Sequence, residues 1–164
     1  MATTIAGATL DVTVPTAGSP KGVSPDVYFD EATGTYYLYT TNMPTGVYTS
    51  TDGANWTPVS GASMPQGFDW SVVKMGPSNY RLYYSTINPN GSQTVSCTKM
   101  RKEFRYATST DLVRWTPQPG VLLDDIGCGV PHVLKKTDGS YLLYWNTITT
   151  KHGIHIATSA DGLN

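Results

Sequence analysis

Residues 24–56 read SPDVYFDEATGTYYLYTTNMPTGVYTSTDGANW, three β-rich runs closed by Ser50-x-Asp52-Gly53-x-x-Trp56, and the chain repeats this pattern. A second copy starts near Phe68 and closes at Ser109–Trp115. A third starts near Gly129 and reaches Ser159–Gly162, and the chain stops at Asn164, where the pattern's next residue is Trp. A repeat of roughly 50–60 residues built from four short strands is the signature of a β-propeller blade. The fold class predicted is therefore all-β, a propeller of four-stranded antiparallel blades with about three blades in this chain.

Working outward, the repeat divides the chain. Residues 1–22 form an N-terminal leader with one strand, Ala8–Val14, ended by the breaker-rich segment 15–20. That strand either closes the last blade, as N-terminal strands do in many propellers, or belongs to a frayed leader. Blade 1 spans about 23–60, blade 2 about 67–118, and an incomplete blade 3 about 129–164. The strands predicted in blade 1 are Val23–Phe29, Thr35–Thr41, Val47–Ser50 and Trp56–Val59, with a tight turn at Asp30–Gly34. Blade 2 gives Trp70–Met75, Tyr80–Ser85, Phe104–Ser109 and Trp115–Pro117, with a long insertion from Thr86 to Lys102. Blade 3 gives Pro131–Lys136, Tyr141–Asn146 and Ile154–Thr158, without an outer strand. The Tyr-rich second strands alternate poorly, as expected where both faces of a blade are packed. An unpaired edge and fewer than four blades leave three arrangements: a fragment of a longer protein, several copies completing one ring, or ends capped by other means. The pattern broken before a Trp favours the fragment, and a homo-oligomer completing the ring is the main rival.

Composition narrows function. The chain has 164 residues, net charge −1 and 14% charged residues with both signs interspersed, so no basic footprint for nucleic acid or an anionic membrane is present. No apolar run approaches membrane-spanning length. Eleven Tyr, four Trp, sixteen Gly and eleven Pro suit strands and turns. The start lacks the basic and apolar regions of a signal peptide. Either the protein is intracellular or the sequence begins after a signal; its Tyr/Thr/Gly-rich, Lys-poor texture points to secretion.

Ser50-Thr51-Asp52, Ser109-Thr110-Asp111 and Ser159-Ala160-Asp161 share a position between third and fourth strands. An Asp there accepts hydrogen bonds from backbone N–H groups two residues on and fixes the hairpin. Trp56 and Trp115 then pack between neighbouring blades. The motif resembles the Asp-box of sialidases with one residue fewer, and its repetition in every blade marks it as structural.

Inner strands line a propeller's central channel, and their starts ring one mouth, where side chains from several blades converge. Aligning the copies by their second strands sets Ser24-Pro25-Asp26 against Asp69-Trp70-Ser71 and Val130-Pro131-His132. The runs SPDVYFDEATGTYYLYTT, DWSVVKMGPSNYRLYYS and VPHVLKKTDGSYLLYW resemble the five-bladed propeller glycosidases of families 43, 62, 32 and 68, the arabinofuranosidases, xylosidases and fructosidases. The similarity covers residues 23–164. It implies three carboxylates on the first strands of three blades: an Asp before Pro, a second Asp, and a Glu two residues before a Pro. Family 43 enzymes mostly use these as base, pKa modulator and general acid; family 32 enzymes use the first as nucleophile and the second as transition-state stabiliser. The chemistry needs one carboxyl protonated and one ionised across the glycosidic bond.

Carried over by position, Ser24 stands where the first Asp belongs, with Asp26 two residues on in an Ala-Pro-Asp-Val-like context. Asp69 matches the second carboxylate, and Gly129 stands where the Glu is expected. Serine is no carboxylate and glycine offers no acid–base group, so Asp124 or Asp125 would have to supply the acid. The catalytic candidates are thus Asp26 and Asp69, each with a plainer reading as a channel-wall hydrogen bonder or turn cap.

Substrate-binding candidates are Trp70, His132, Arg101 and Trp145. Trp70 and Trp145 either stack on sugars or pack between blades. His132 is either a satisfied core histidine or a channel histidine of the kind family 43 places beside a central ion, though the family takes it from a later blade. Arg101 belongs to a basic cluster, Lys99–Arg105, that either attracts an acidic sugar or is a solvated loop with an Arg101–Glu103 pair. No metal and no cofactor is expected. Cys97 and Cys128 are either two thiols or one disulfide pinning the insertion over the mouth, closing a loop of about 30 residues for roughly 2–4 kcal/mol.

The resulting expectation is a carbohydrate-active propeller that hydrolyses arabinose-, xylose- or fructose-containing glycans by paired carboxylates, with an oligo- or polysaccharide as partner. The alternatives are a non-catalytic sugar-binding or scaffold propeller, and an inactive fragment of a larger glycosidase.

Overall fold

Each Tyr-rich run sits second in an antiparallel sheet, flanked by an inner strand and by the strand that carries the Ser-x-Asp turn. The computed structural model describes residues 3–5, 8–10, 20, 22–41, 46–87, 101–124, 126–147 and 153–164. Strands β1 (Thr3–Ile5) and β2 (Ala8–Leu10) pair with each other, and residues 11–14 of the expected leader strand lie outside the described residues.

The first blade is β3 (Val23–Asp30), β4 (Thr35–Thr41), β5 (Gly46–Ser50) and β6 (Thr57–Pro58), in that order across the sheet. The second is β7 (Phe68–Gly76), β8 (Asn79–Ile87), β9 (Lys102–Ser109) and β10 (Thr116–Pro117). The third is β11 (Pro131–Lys135), β12 (Tyr141–Thr147) and β13 (Gly153–Ser159). The described chain is thus all-β, in successive antiparallel blades. One boundary shifts: Thr86, Ile87 and Lys102, expected in the insertion, belong to the β8–β9 ladder, because Thr86 pairs with Glu103 and Ile87 with Lys102. Residues 88–100 lie outside the described residues.

The three Ser-x-Asp turns are built alike. Ser50 Oγ accepts from Gly53 N at 2.9 Å, and Asp52 Oδ1 accepts from Ala54 N and Asn55 N at 2.9 and 2.8 Å. Ser109 and Asp111 receive Leu112 N, Val113 N and Arg114 N in the same way, and Ser159 and Asp161 receive Gly162 N, Leu163 N and Asn164 N. These bonds reach two or three residues along the chain, so local sequence suffices to make them.

Blades join through a second repeated bond. Tyr39 Oη donates to Leu112 O at 2.9 Å, and Tyr83 Oη donates to Gly162 O at 2.9 Å. Ladder registers make these equivalent: Tyr36 pairs with Ser50, Tyr80 with Ser109 and Tyr141 with Ser159. Trp115 lies edge-on to Tyr39, centroids 6.0 Å apart, in a core with Tyr80, Leu82, Tyr84 and Leu112. A second core between blades 2 and 3 holds Tyr83, Phe104, Ile126, Val133 and Tyr141. Filling both faces of blade 2 explains why β8 does not alternate. Each such aromatic or aliphatic side chain contributes roughly 2–3 kcal/mol by leaving water. Trp56, by contrast, is only partly buried.

The two outer faces carry apolar side chains of their own. Val23, Val27 and Phe29 are exposed on blade 1, and Val130, Leu134, Ile154 and Ile156 on blade 3.

Candidate sugar site at the starts of the inner strands

Strands β3 and β7 begin with the same irregularity. The β3–β4 register slips between Val23 and Asp26, and the β7–β8 register slips between Phe68 and Ser71. At the matching positions Ser24 has φ 49° and Asp69 φ 58°, the left-handed region that non-glycine residues rarely enter. Such bulges re-aim a side chain and cluster beside functional sites.

Beyond the bulges, register places Asp26 opposite Tyr39, Ser71 opposite Tyr83 and His132 opposite Tyr144. These three residues therefore occupy one position in three successive inner strands. They are linked across the blades. Asp26 Oδ2 accepts from Val72 N at 3.2 Å, and Ser71 Oγ accepts from Val133 N at 3.0 Å, the same stitch made twice. Ser71 Oγ also lies 3.4 Å from His132 Nδ1. Burial pushes the Asp26 carboxyl up to about 6, with the charge of His132 and the Val72 bond acting in the opposite sense. Such a carboxyl can donate as well as accept below about pH 6 and only accepts once ionised above it. Asp26 is partly exposed and His132 exposed, so these two are open to a ligand, while Ser71 is fully buried between them and links their strands. Sequence reasoning passed over Ser71, although its alignment with Asp26 and His132 was already written in the repeat.

Asp69 has a different environment. Its side chain is 5% exposed, and Oδ2 accepts from Lys102 Nζ at 2.6 Å and from Ser85 Oγ at 3.3 Å. Lys102 also donates to Gly129 O at 3.1 Å and rests 4.7 Å from the Phe68 ring centroid. The expected solvated basic loop is thus corrected at Lys102, which is buried at the start of β9. The signal was period-two counting from Phe104, which puts Lys102 on the same strand face as that core residue.

Gly129, at the expected acid position, is closely hemmed in. A Cβ there would come 2.4 Å from Asn146 O, 2.9 Å from Ile126 O and 3.2 Å from Trp145 Cδ1. A glutamate cannot occupy this backbone without displacing its neighbours. Asp124 is exposed, and Asp125 lies outside the described residues.

The other candidates sort by burial. Trp70, offered as a stacking platform, is 3% exposed and packs 5.9 Å from Tyr84 in the core, so neither ring face is open to a sugar. Trp145 is partly buried and stacks on His155 at 5.1 Å. Arg101 is exposed, and Glu103 takes Arg105 as its partner, with Arg105 Nε donating at 2.8 Å. Among the described residues no three His, Cys, Asp or Glu side chains converge. Cys128 is disulfide-bonded, and Cys97, the chain's other cysteine, lies outside the described residues.

Successive stacked antiparallel blades define an all-β fold of the β-propeller class. No protein-family model and no curated protein matches the chain. Among solved structures it is similar to a glycoside hydrolase of family 43, subfamily 12, from a capybara gut metagenome. That match has a TM-score of 0.65 and 18% identity, covering 85% of this chain and 28% of the other. An exo-1,5-α-L-arabinanase from a bovine ruminal metagenomic library gives 0.59 and 17%, covering 87% and 51%. The α-L-arabinanase of Cellvibrio cellulosa, complexed with arabinohexaose, gives 0.59 and 16%, covering 88% and 50%. The chain therefore spans 28–51% of the length of these three, and at such identity the likeness is one of fold.

Proposed function

We propose that the chain forms the glycan-binding wall of a glycosidase-type propeller, and that it binds a neutral oligosaccharide without cleaving it by the two-carboxylate route. One observation carries this reading: of the two carboxylates expected to react, Asp69 is held by a buried Lys102, while only Asp26 remains open. Hydrolysis by the usual pair needs one protonated and one ionised carboxyl facing the same bond. With Asp69 committed to an ammonium and Gly129 at the third position, that pair is not assembled. Asp26 and His132 instead offer hydrogen-bonding groups suited to sugar hydroxyls, held at one level by the buried Ser71 between them. Arabinose-containing glycans are the first ligands to try, because two of the similar structures are named as arabinanases.

A second reading stands on the Asp26 carboxyl being raised to about 6, the property of a general acid. The test separates the two. Arabino-, xylo- and fructo-oligosaccharides are titrated by calorimetry, and the same mixtures are assayed for new reducing ends. Binding that weakens in Asp26→Asn, with no new reducing ends, supports the wall. Reducing ends that disappear in Asp26→Asn support hydrolysis, and no binding of any of the three glycan classes sinks both.

A further inference from the structure

Between blades 2 and 3 lies an apolar cavity of about 190 Å³, lined among others by Tyr83, Phe104, Tyr141, Leu143, Ala157 and Gly162. Its walls have an exact precedent in the same chain. Around Trp115, the join of blades 1 and 2 gathers Tyr39, Tyr80, Leu82, Ala107 and Leu112 into one core. The ladders pair Tyr80 with Ser109 and Tyr141 with Ser159, so Tyr141, Leu143 and Ala157 are the counterparts of Tyr80, Leu82 and Ala107. Tyr83 is the counterpart of Tyr39, and Gly162 that of Leu112, as their matching hydrogen bonds show. The cavity is therefore the Trp115 socket repeated one blade further on.

The strand beside the socket repeats as well. Trp115 leads into β10, where Thr116 pairs with Thr108 and Pro117 with Ala107. The tripeptide Trp-Thr-Pro occurs at 56–58 and again at 115–117, each time opening the outermost strand of its blade. The counterparts of Thr108 and Ala107 are Thr158 and Ala157 of β13, both on the cavity wall. Among the described residues no strand pairs with the outer edge of β13.

We propose that this cavity is a socket for a tryptophan indole, and that its occupant is a peptide segment headed by Trp-Thr-Pro which adds to β13 as an antiparallel outer strand. Apolar walls supply the attraction for the ring, since an engineered apolar cavity of about 150 Å³ already takes up benzene. The edge of β13 supplies backbone donors and acceptors, the strand-addition mode of peptide recognition. Position fixes the order of the two: Asn164 holds the place of Arg114, the residue immediately before Trp115, in its bonds to the turn aspartate. The indole enters beside Asn164, and the strand then runs back along β13.

The experiment uses the whole chain, isotopically labelled, and a synthetic peptide copying residues 115–120, with a second peptide carrying Ala in place of the Trp. Amide and methyl shifts report the site without any substitution in the protein. The expected result is saturable shifts at Leu143, Ala157, Thr158 and Gly162, with the alanine peptide weaker by about tenfold or more. Equal binding of the two peptides, shifts confined to other blades, or no saturable shift would overturn the proposal. So would a concentration-dependent dimer that excludes the peptide, because a second copy would then be the occupant.

Discussion

Lys102 Nζ and Asp69 Oδ2 stand 2.6 Å apart, with their side chains 7% and 5% exposed. The ammonium also reaches Gly129 O, so one cation ties the start of β7 to the third strand of its own blade and to the entry of the next. Removing one partner of a buried pair strands the other charge in a poor solvent. Lys102→Met should therefore destabilise the chain by about 3–5 kcal/mol in urea unfolding. Adding Asp69→Asn should recover part of that loss, since it removes the stranded charge. A single substitution without cost would show that the pair is solvated.

Asp26 predicts an unusual pH dependence. Its folded pKa of about 6 lies above the ordinary 3.8, so between those values the folded chain keeps a proton that the unfolded chain has released. Stability contributed by this group is full below 3.8 and is lost as pH rises through about 6. The turn aspartates act with the opposite sign: backbone N–H groups led by that of Asn55 hold Asp52 well below the carboxylate range, so its contribution is lost only in acid. Asp26→Asn should flatten the curve between pH 4 and 6 and stabilise the chain at neutral pH by on the order of 2 kcal/mol. Thermal melts across that range, wild type against variant, read both effects.

The two blade joins should differ in strength. Tyr39 Oη makes a buried bond to Leu112 O, whereas the bond from Tyr83 Oη ends on the partly exposed Gly162, and that hydroxyl also accepts from Arg81 Nη1 at 3.0 Å. Tyr39→Phe leaves a buried carbonyl without its donor and should cost about 1–2 kcal/mol. Tyr83→Phe should cost less, because water can reach the partly exposed Gly162 carbonyl that loses its donor. Equilibrium unfolding of both variants checks the order, and a reversed order would contradict the burial argument.

Gly129 should resist any side chain. Two of the atoms that a Cβ would meet are backbone oxygens, of Asn146 and Ile126, which cannot swing aside. Gly129→Ala should destabilise by about 1–3 kcal/mol, as overpacking does. Gly129→Glu should do no better and should release no reducing sugar from arabinan. Activity gained by that variant would mean that the β11 entry is far more pliable than its packing indicates.

Much of this molecule was legible in the residues alone. The blade pattern rests on short-range features: Tyr-rich strands, Gly turns, and Ser-x-Asp bonds that span two or three positions. The head of the repeat, Ser24-Pro25-Asp26, could likewise be aligned with its two counterparts, and the ladders place Asp26, Ser71 and His132 at one level. What the alignment could not tell was which carboxylate stays free. Asp69 and Lys102 are 33 residues apart, Asp26 and Val72 are 46 apart, and Ser71 and His132 are 61 apart. Contacts at such separations depend on how blades stack and how a left-handed bulge turns one side chain. Trp70 shows the same limit, since a tryptophan at a channel mouth and one in the core between blades share a sequence position and differ only in which way the strand turns. Repetition within the chain reveals the architecture, because each blade solves the same local problem; the stacking of unlike blades decides the chemistry, because only there do distant charges meet.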